Sequence, residues 1–127
     1  LSLHDALPIY AAEVENVLCG HRDIREASVF GVDHQYLGEA VVGAVELMNA
    51  ERKRYLQGTR PILKWCRQRL SSYKVPRRLW VVSKMPRSGI GKVDKNELRR
   101  VLHDEIIQFG NDVHSVPFGI LNRRAKM

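Results

Sequence analysis

The chain has 127 residues, 44% of them hydrophobic and 28% charged, which suits one modest domain with its own core and excludes wholesale disorder. Nine Gly, two Cys and no sustained heptad exclude collagen, disulfide-scaffold and coiled-coil classes, and no apolar run approaches the roughly 18 to 20 residues of a membrane helix. The net charge of +7 is uneven: residues 52–93 hold 13 Lys or Arg and no acid, whereas the remainder holds 8 basic and 14 acidic residues.

Residues 1–9 (LSLHDALPI) match nothing that follows and are expected to be a non-native leader. Over residues 10–19, Ala11, Val14, Val17 and Leu18 recur at spacings of three and four, which predicts one helix face, with Glu13, Glu15 and Asn16 turned outward. Gly20 is a stop. Residues 27–32 (ASVFGV) predict a short strand, 33–39 (DHQYLGE) a turn, and 40–47 (AVVGAVEL) a second strand buried on both faces. The two strands can pair as a hairpin, across a loop that is long for a tight turn.

Residues 49–58 are a polar, basic connector. Thr59 is a candidate cap for a helix over 60–70, with Pro61 in its first turn and Ile62, Trp65, Cys66 and Arg69 on one face. Tyr73 is expected to pack, and Pro76 keeps the chain extended before a third strand at 79–82 (LWVV). After a glycine-bearing loop, Asp94 with Glu97 predicts a capping box, and Leu98, Val101, Leu102 and Ile106 form the apolar face of a last helix. The order α-β-β-α-β-α predicts an α+β domain, a small three-stranded sheet packed by about three helices. Residues 106–127 are a tail without an assigned role.

Cys19 and Cys66 lie far apart with no CxxC spacing and read as reduced core thiols. The five histidines share no ligand spacing, so no metal site is expected. The acid-free basic stretch points to a polyanionic partner. Residue types suggest chemistry in one place, the loop at 86–92. Gly89 and Gly91 allow positive φ and close approach to a ligand, and Lys92 follows as a point charge suited to phosphate or carboxylate oxygens. It is not a P-loop, since Val93 follows the lysine and Pro86 stands where that motif has its first glycine. On spacing alone it is a surface turn that ends in a lysine.

The segments YAAEVENVL, GHRDIREASVFGVDHQYLGE, LKWCRQRLSSYKVP and MPRSGIGKVDKNELRRVL, in this order, resemble the small C-terminal domain of the adenylate-forming enzymes. That superfamily includes acyl-CoA synthetases, nonribosomal peptide adenylation domains and luciferases, and the pattern is nearest to fatty-acid-type acyl-CoA ligases. The specific parts are YKVP at 73–76 and PRSGIGKVDK at 86–95.

The resemblance implies a lid domain at 10–105 that swings over a missing N-terminal adenylation domain, and a chain inactive alone. Lys92 falls on the family's catalytic lysine, with Ser88, Gly89 and Gly91 in the loop near nucleotide and substrate. Also implied are ATP and CoA as substrates of the complete enzyme, Mg2+ bound with ATP outside this chain, a carboxylic acid substrate, and CoA or carrier-protein pantetheine as acceptor. The location implied is cytoplasmic. Ala11 and Arg22 stand where relatives often have proline, and Ile90 where a small hydroxyl residue is common. Two further readings are a free-standing domain docking on an acidic carrier protein, and a basic nucleic-acid module with Trp65, Tyr73 or Trp80 as stacking platforms. The cations match no nucleic-acid motif, so no nucleic-acid partner is expected.

Overall fold

The computed structural model describes residues 3–115. The alternation of apolar side chains along the second strand organises the fold. In β2 (Gly38–Leu47), Val41, Val45 and Leu47 enter one core cluster while Ala40, Val42 and Ala44 enter another. A strand buried on both faces belongs at the centre of a sheet, and β2 is central, antiparallel to β1 (Ile24–His34) and parallel to β3 (Leu79–Val82). On one face, α1 (Leu3–Cys19) and α2 (Arg60–Arg67) bury Val14, Leu18, Ile62 and Cys66. The opposite face receives Leu98 of α3 (Lys95–Val101) and Phe109 of α4 (His103–Gly110). The α+β class and element order match the sequence pattern.

Local details depart from it for physical reasons. The β1–β2 loop is tight: His34 pairs with Gly38, and His34 Nδ1 accepts the amides of Tyr36 (3.1 Å) and Leu37 (3.2 Å). The imidazole supplies the acceptors that make so short a loop viable. Thr59 does not cap α2; its hydroxyl donates to Leu79 O (2.8 Å), fastening the helix start to β3. The connector contains a 3-10 helix, Asn49–Tyr55, that delivers Tyr55 into the core. The last helix breaks at Leu102 (φ −95, ψ 15) into α3 and α4. Cys66 is buried but Cys19 is exposed, so only one of the two is a core thiol. Tyr73 is 67% exposed, edge-on to Tyr10 at 5.9 Å, rather than packed.

Helices run across both expected boundaries, near residues 10 and 105. The helix expected to begin at residue 10 is already formed at Leu3, so most of the expected leader is continuous with α1; residues 1 and 2 lie outside the described residues. At the other end, the boundary near 105 falls inside α4. Phe109 beyond it is 1% exposed, and Gln35 N donates to Gly110 O (2.7 Å). Gly110 permits that approach, because a Cβ there would meet Asp33 O at 2.9 Å. Residues 116–127 of the expected tail lie outside the described residues.

Candidate active-site loop

Between β3 and α3 the chain forms a small hairpin that carries Ser88, Gly89, Gly91 and Lys92 together. Arg87 and Val93 pair as an antiparallel bridge. Ser88 N donates to Lys92 O (2.7 Å), and Gly91 N donates to Ser88 O (3.0 Å), closing a four-residue turn. Gly91 has φ +85, the left-handed position that follows such a turn in a three-residue hairpin loop. Gly89 does not adopt positive φ, so only one of the two glycines uses the freedom both offer. Ile90 at the tip is 81% exposed. The Ser88 hydroxyl is buried without a hydrogen-bond partner; its amide, not its side chain, shapes the loop.

The loop is fixed on both sides. Upstream, Arg87 donates from Nη1 to Gly91 O (3.0 Å) and from Nη2 to the Glu26 carboxylate on β1. Downstream, the Asp94 carboxylate caps α3 by accepting Glu97 N (3.1 Å), while Asp94 N donates to Pro86 O (2.9 Å). Only half of the expected capping box forms, because Glu97 reaches forward to Arg100 instead. Lys95 Nζ donates to Val29 O (2.8 Å) and pairs with Glu15 (3.2 Å). Glu15 is therefore turned toward the sheet and not outward; its carboxylate also accepts Val29 N (2.7 Å). Lys92 itself is exposed and has no ion pair or hydrogen bond through its ammonium among the described residues. The base of the loop is pinned, and within it the Lys92 ammonium is exposed without a partner among the described residues.

Arg87 and Lys95 flank Lys92 in the same sequence block, yet the sequence does not single them out as the residues that hold the loop. Their partners, Glu26, Glu15 and Val29, are more than 60 residues away in sequence, and no local pattern reveals that pairing. The YKVP block is placed elsewhere. Arg77 N donates to Val41 O (2.8 Å) and Arg78 O accepts Gly43 N (2.9 Å), so the chain past buried Pro76 runs into pairing with β2. Lys74 pairs with Glu13 (2.8 Å), and that hydrogen bond raises the ammonium pKa above its ordinary value.

Four arginines of the basic stretch line one groove. A cavity of about 840 Å³ is lined by Arg60, Arg67, Tyr73, Arg77 and Arg78, with Asp112 bonded to Arg78 at 3.2 Å. Trp65 and Trp80 are packed against the two core clusters, so neither indole is a free stacking platform. Among the described residues no cluster of three or more His, Cys, Asp or Glu could hold a metal ion, and no helix is long and apolar enough to cross a membrane.

Residues 13–92 match the family described as the AMP-binding enzyme C-terminal domain. The chain belongs to that family. Its relatives are acyl-CoA ligases. It is 38% identical over 95 residues to 2-succinylbenzoate–CoA ligase of Geobacillus kaustophilus (strain HTA426), covering 74% of this chain and 18% of that protein. It is 39% identical over 92 residues to feruloyl-CoA synthase of Amycolatopsis sp, covering 72% and 18%. Among solved structures, Mycobacterium tuberculosis fatty acyl CoA synthetase matches this AMP-binding C-terminal domain with a TM-score of 0.65 at 27% identity, over 75% of this chain and 18% of that one. ATP-bound MatB from Rhodopseudomonas palustris gives 0.64 at 27%, over 76% and 18%. The chain thus spans about 18% of the length of the curated relative compared first. The match ends on Lys92 itself, the residue whose carbonyl closes the hairpin loop.

Proposed function

We propose that this domain, at residues 10–105 with α4 continuing past that boundary, is the mobile lid of an ATP-dependent, AMP-forming acid–thiol ligase and that Lys92 is its catalytic residue. The observation that carries the reading is the unpaired Lys92 ammonium on a loop tied to the sheet on both sides. A cation left without a partner in its own domain is available to an anion brought from another.

In the first half-reaction a carboxylate oxygen attacks the α-phosphorus of ATP, forming the acyl-adenylate as pyrophosphate leaves. Two anions must approach, and negative charge moves onto the oxygen bridging to the leaving pyrophosphate. A cation held at that point favours the transition state over the separated reactants. Lys92 acts through its charge and takes no proton. Ser88, Gly89 and Gly91 shape the backbone that lies beside nucleotide and substrate. Mg2+ accompanies ATP and is held outside this chain, in the N-terminal adenylation domain. In the second half-reaction a thiol gives up its proton to solvent as its sulfur attacks the acyl carbon, AMP leaves with the bonding electrons, and a thioester forms.

Lid motion between the two steps exchanges the Lys92 loop for another face. The groove of Arg60, Arg67 and Arg77 supports CoA, a carrier of several phosphates, as the acceptor in preference to a protein-bound pantetheine. The setting is cytoplasmic, where ATP and CoA are supplied.

The test uses the full-length ligase that carries this domain. Lys92→Ala is expected to lower ATP–pyrophosphate exchange by about 100-fold or more, the scale of losing one charge-stabilising group. Thioester formation from supplied acyl-adenylate should stay within about threefold, since that step does not use the lysine. Exchange at close to the wild-type rate would sink the role of Lys92.

A further inference from the structure

We infer that Arg87 and Glu26 form a positioning pair that aims Lys92, an assignment that builds on the role proposed for that lysine. Gly91 immediately precedes Lys92, and its carbonyl accepts a hydrogen bond from Arg87 Nη1 (3.0 Å). The other arm of the same guanidinium donates to the Glu26 carboxylate on β1. The peptide from which Lys92 springs is thereby fastened to the sheet through one planar group. Only arginine has a rigid fork that meets both acceptors at once; a lysine in its place offers a single point charge.

The identity of the partner has a second cause. Glu26 is the register partner of Glu46 across the β1–β2 pair. Glu46 is already satisfied by Arg25 Nε (3.3 Å) and by the Met85 amide (2.7 Å). Like charges directly opposed in a sheet are unfavourable, so Glu26 needs a cation of its own, and Arg87 is that cation. The Arg87 and Glu26 side chains are 45% and 23% exposed. A pair so solvated contributes little to stability. Its value is geometric, because a reacting group misplaced by about 1 Å loses up to about 100-fold in rate.

In the full-length ligase, Arg87→Ala is expected to lower kcat for adenylate formation about tenfold while KM for ATP changes less than about twofold. Thioester formation from supplied acyl-adenylate stays within about twofold, as that step does not depend on where Lys92 points. The isosteric Glu26→Gln moves adenylation in the same direction and serves where Arg87→Ala folds poorly. The double variant Arg87→Ala/Glu26→Gln removes the opposed carboxylates and regains thermal stability, yet its adenylation rate stays low because Gly91 O still lacks its donor. In the 127-residue chain, Arg87→Ala lowers the 15N order parameters of Gly91 and Lys92 from about 0.85 toward about 0.6.

Recovery of the adenylation rate in the double variant would show that Arg87 serves stability alone and overturn the assignment. So would wild-type adenylation by Arg87→Ala in an enzyme that Lys92→Ala inactivates. If Lys92→Ala retains exchange, the ligase role of the lysine falls by itself. Unchanged order parameters in Arg87→Ala then overturn the positioning pair separately.

Discussion

Asp23, only 4% exposed, holds its carboxylate in the core with one hydrogen bond and two arginines nearby. The Tyr55 hydroxyl donates to Oδ2, Arg54 Nη1 lies at 3.9 Å and Arg22 Nε at 3.7 Å. Its backbone is used too, with Asp23 N donating to His21 Nδ1 (3.0 Å) and Met48 N to Asp23 O (2.8 Å). Burial lowers the His21 pKa below 6.5, which keeps Nδ1 an acceptor. Burial, then the hydrogen bond to Asp23, pushes the Tyr55 pKa up from 10.0 to about 12. A folded pKa above the unfolded one means the tyrosine's contribution is whole below about pH 10 and lost as pH rises through about 12. Tyr55→Phe leaves a buried carboxylate oxygen without its donor and is expected to cost about 1–3 kcal/mol at pH 7. Urea unfolding at pH 7, 9 and 11 checks both points. Wild type should lose stability between the last two values more steeply than Tyr55→Phe, and parallel losses would sever the link to this hydroxyl.

The element that most changes the picture of the domain is α4. Its Phe109 ring stands edge-on to His34 (5.0 Å) and Trp80 (6.2 Å), with the Arg78 guanidinium 5.2 Å from its centre. It lies past the 13–92 match, yet it fills the second core cluster. Phe109→Ala is expected to cost about 3–5 kcal/mol, the scale for emptying a buried aromatic site. A loss below about 1 kcal/mol in urea unfolding would make α4 an appendage and restore a boundary near residue 105. The strand it covers is an edge, and side chains close that edge: Glu15 accepts Val29 N, Lys95 donates to Val29 O and Arg99 to Gly31 O. Edge strands covered in this way do not offer their backbone to other chains.

At the scale of the whole molecule, two cores share one three-stranded sheet, and β2 supplies both. Trp65 reports on the α1–α2 side and Trp80 on the α3–α4 side. Because neither face can be lost without exposing β2, the domain should unfold in one cooperative step. Val45→Ala, a fully buried site on the α1–α2 face, is expected to cost about 2 kcal/mol. In variants retaining a single tryptophan, it should lower both fluorescence midpoints equally. A shift confined to Trp65 would mean that the two layers unfold separately.

Apolar periodicity, β-forming runs and the Asp94 cap are local properties, and they were enough to determine the α+β class, the order of elements, the third strand and the loop bearing Ser88, Gly89, Gly91 and Lys92. The order and spacing of the YKVP and PRSGIGKVDK blocks were enough for the family. Tertiary structure decided everything that depends on partners distant along the chain. It turned Glu15 inward to β1, took the Thr59 hydroxyl from its helix to Leu79 O, and carried the core out to Phe109. It also brought Arg87 to Glu26 and Lys95 to Val29, the contacts that hold the Lys92 loop. For the polar contacts the physical reason is the same. A polar side chain can find many alternative partners locally, and only the packed sheet determines which one lies within hydrogen-bonding reach.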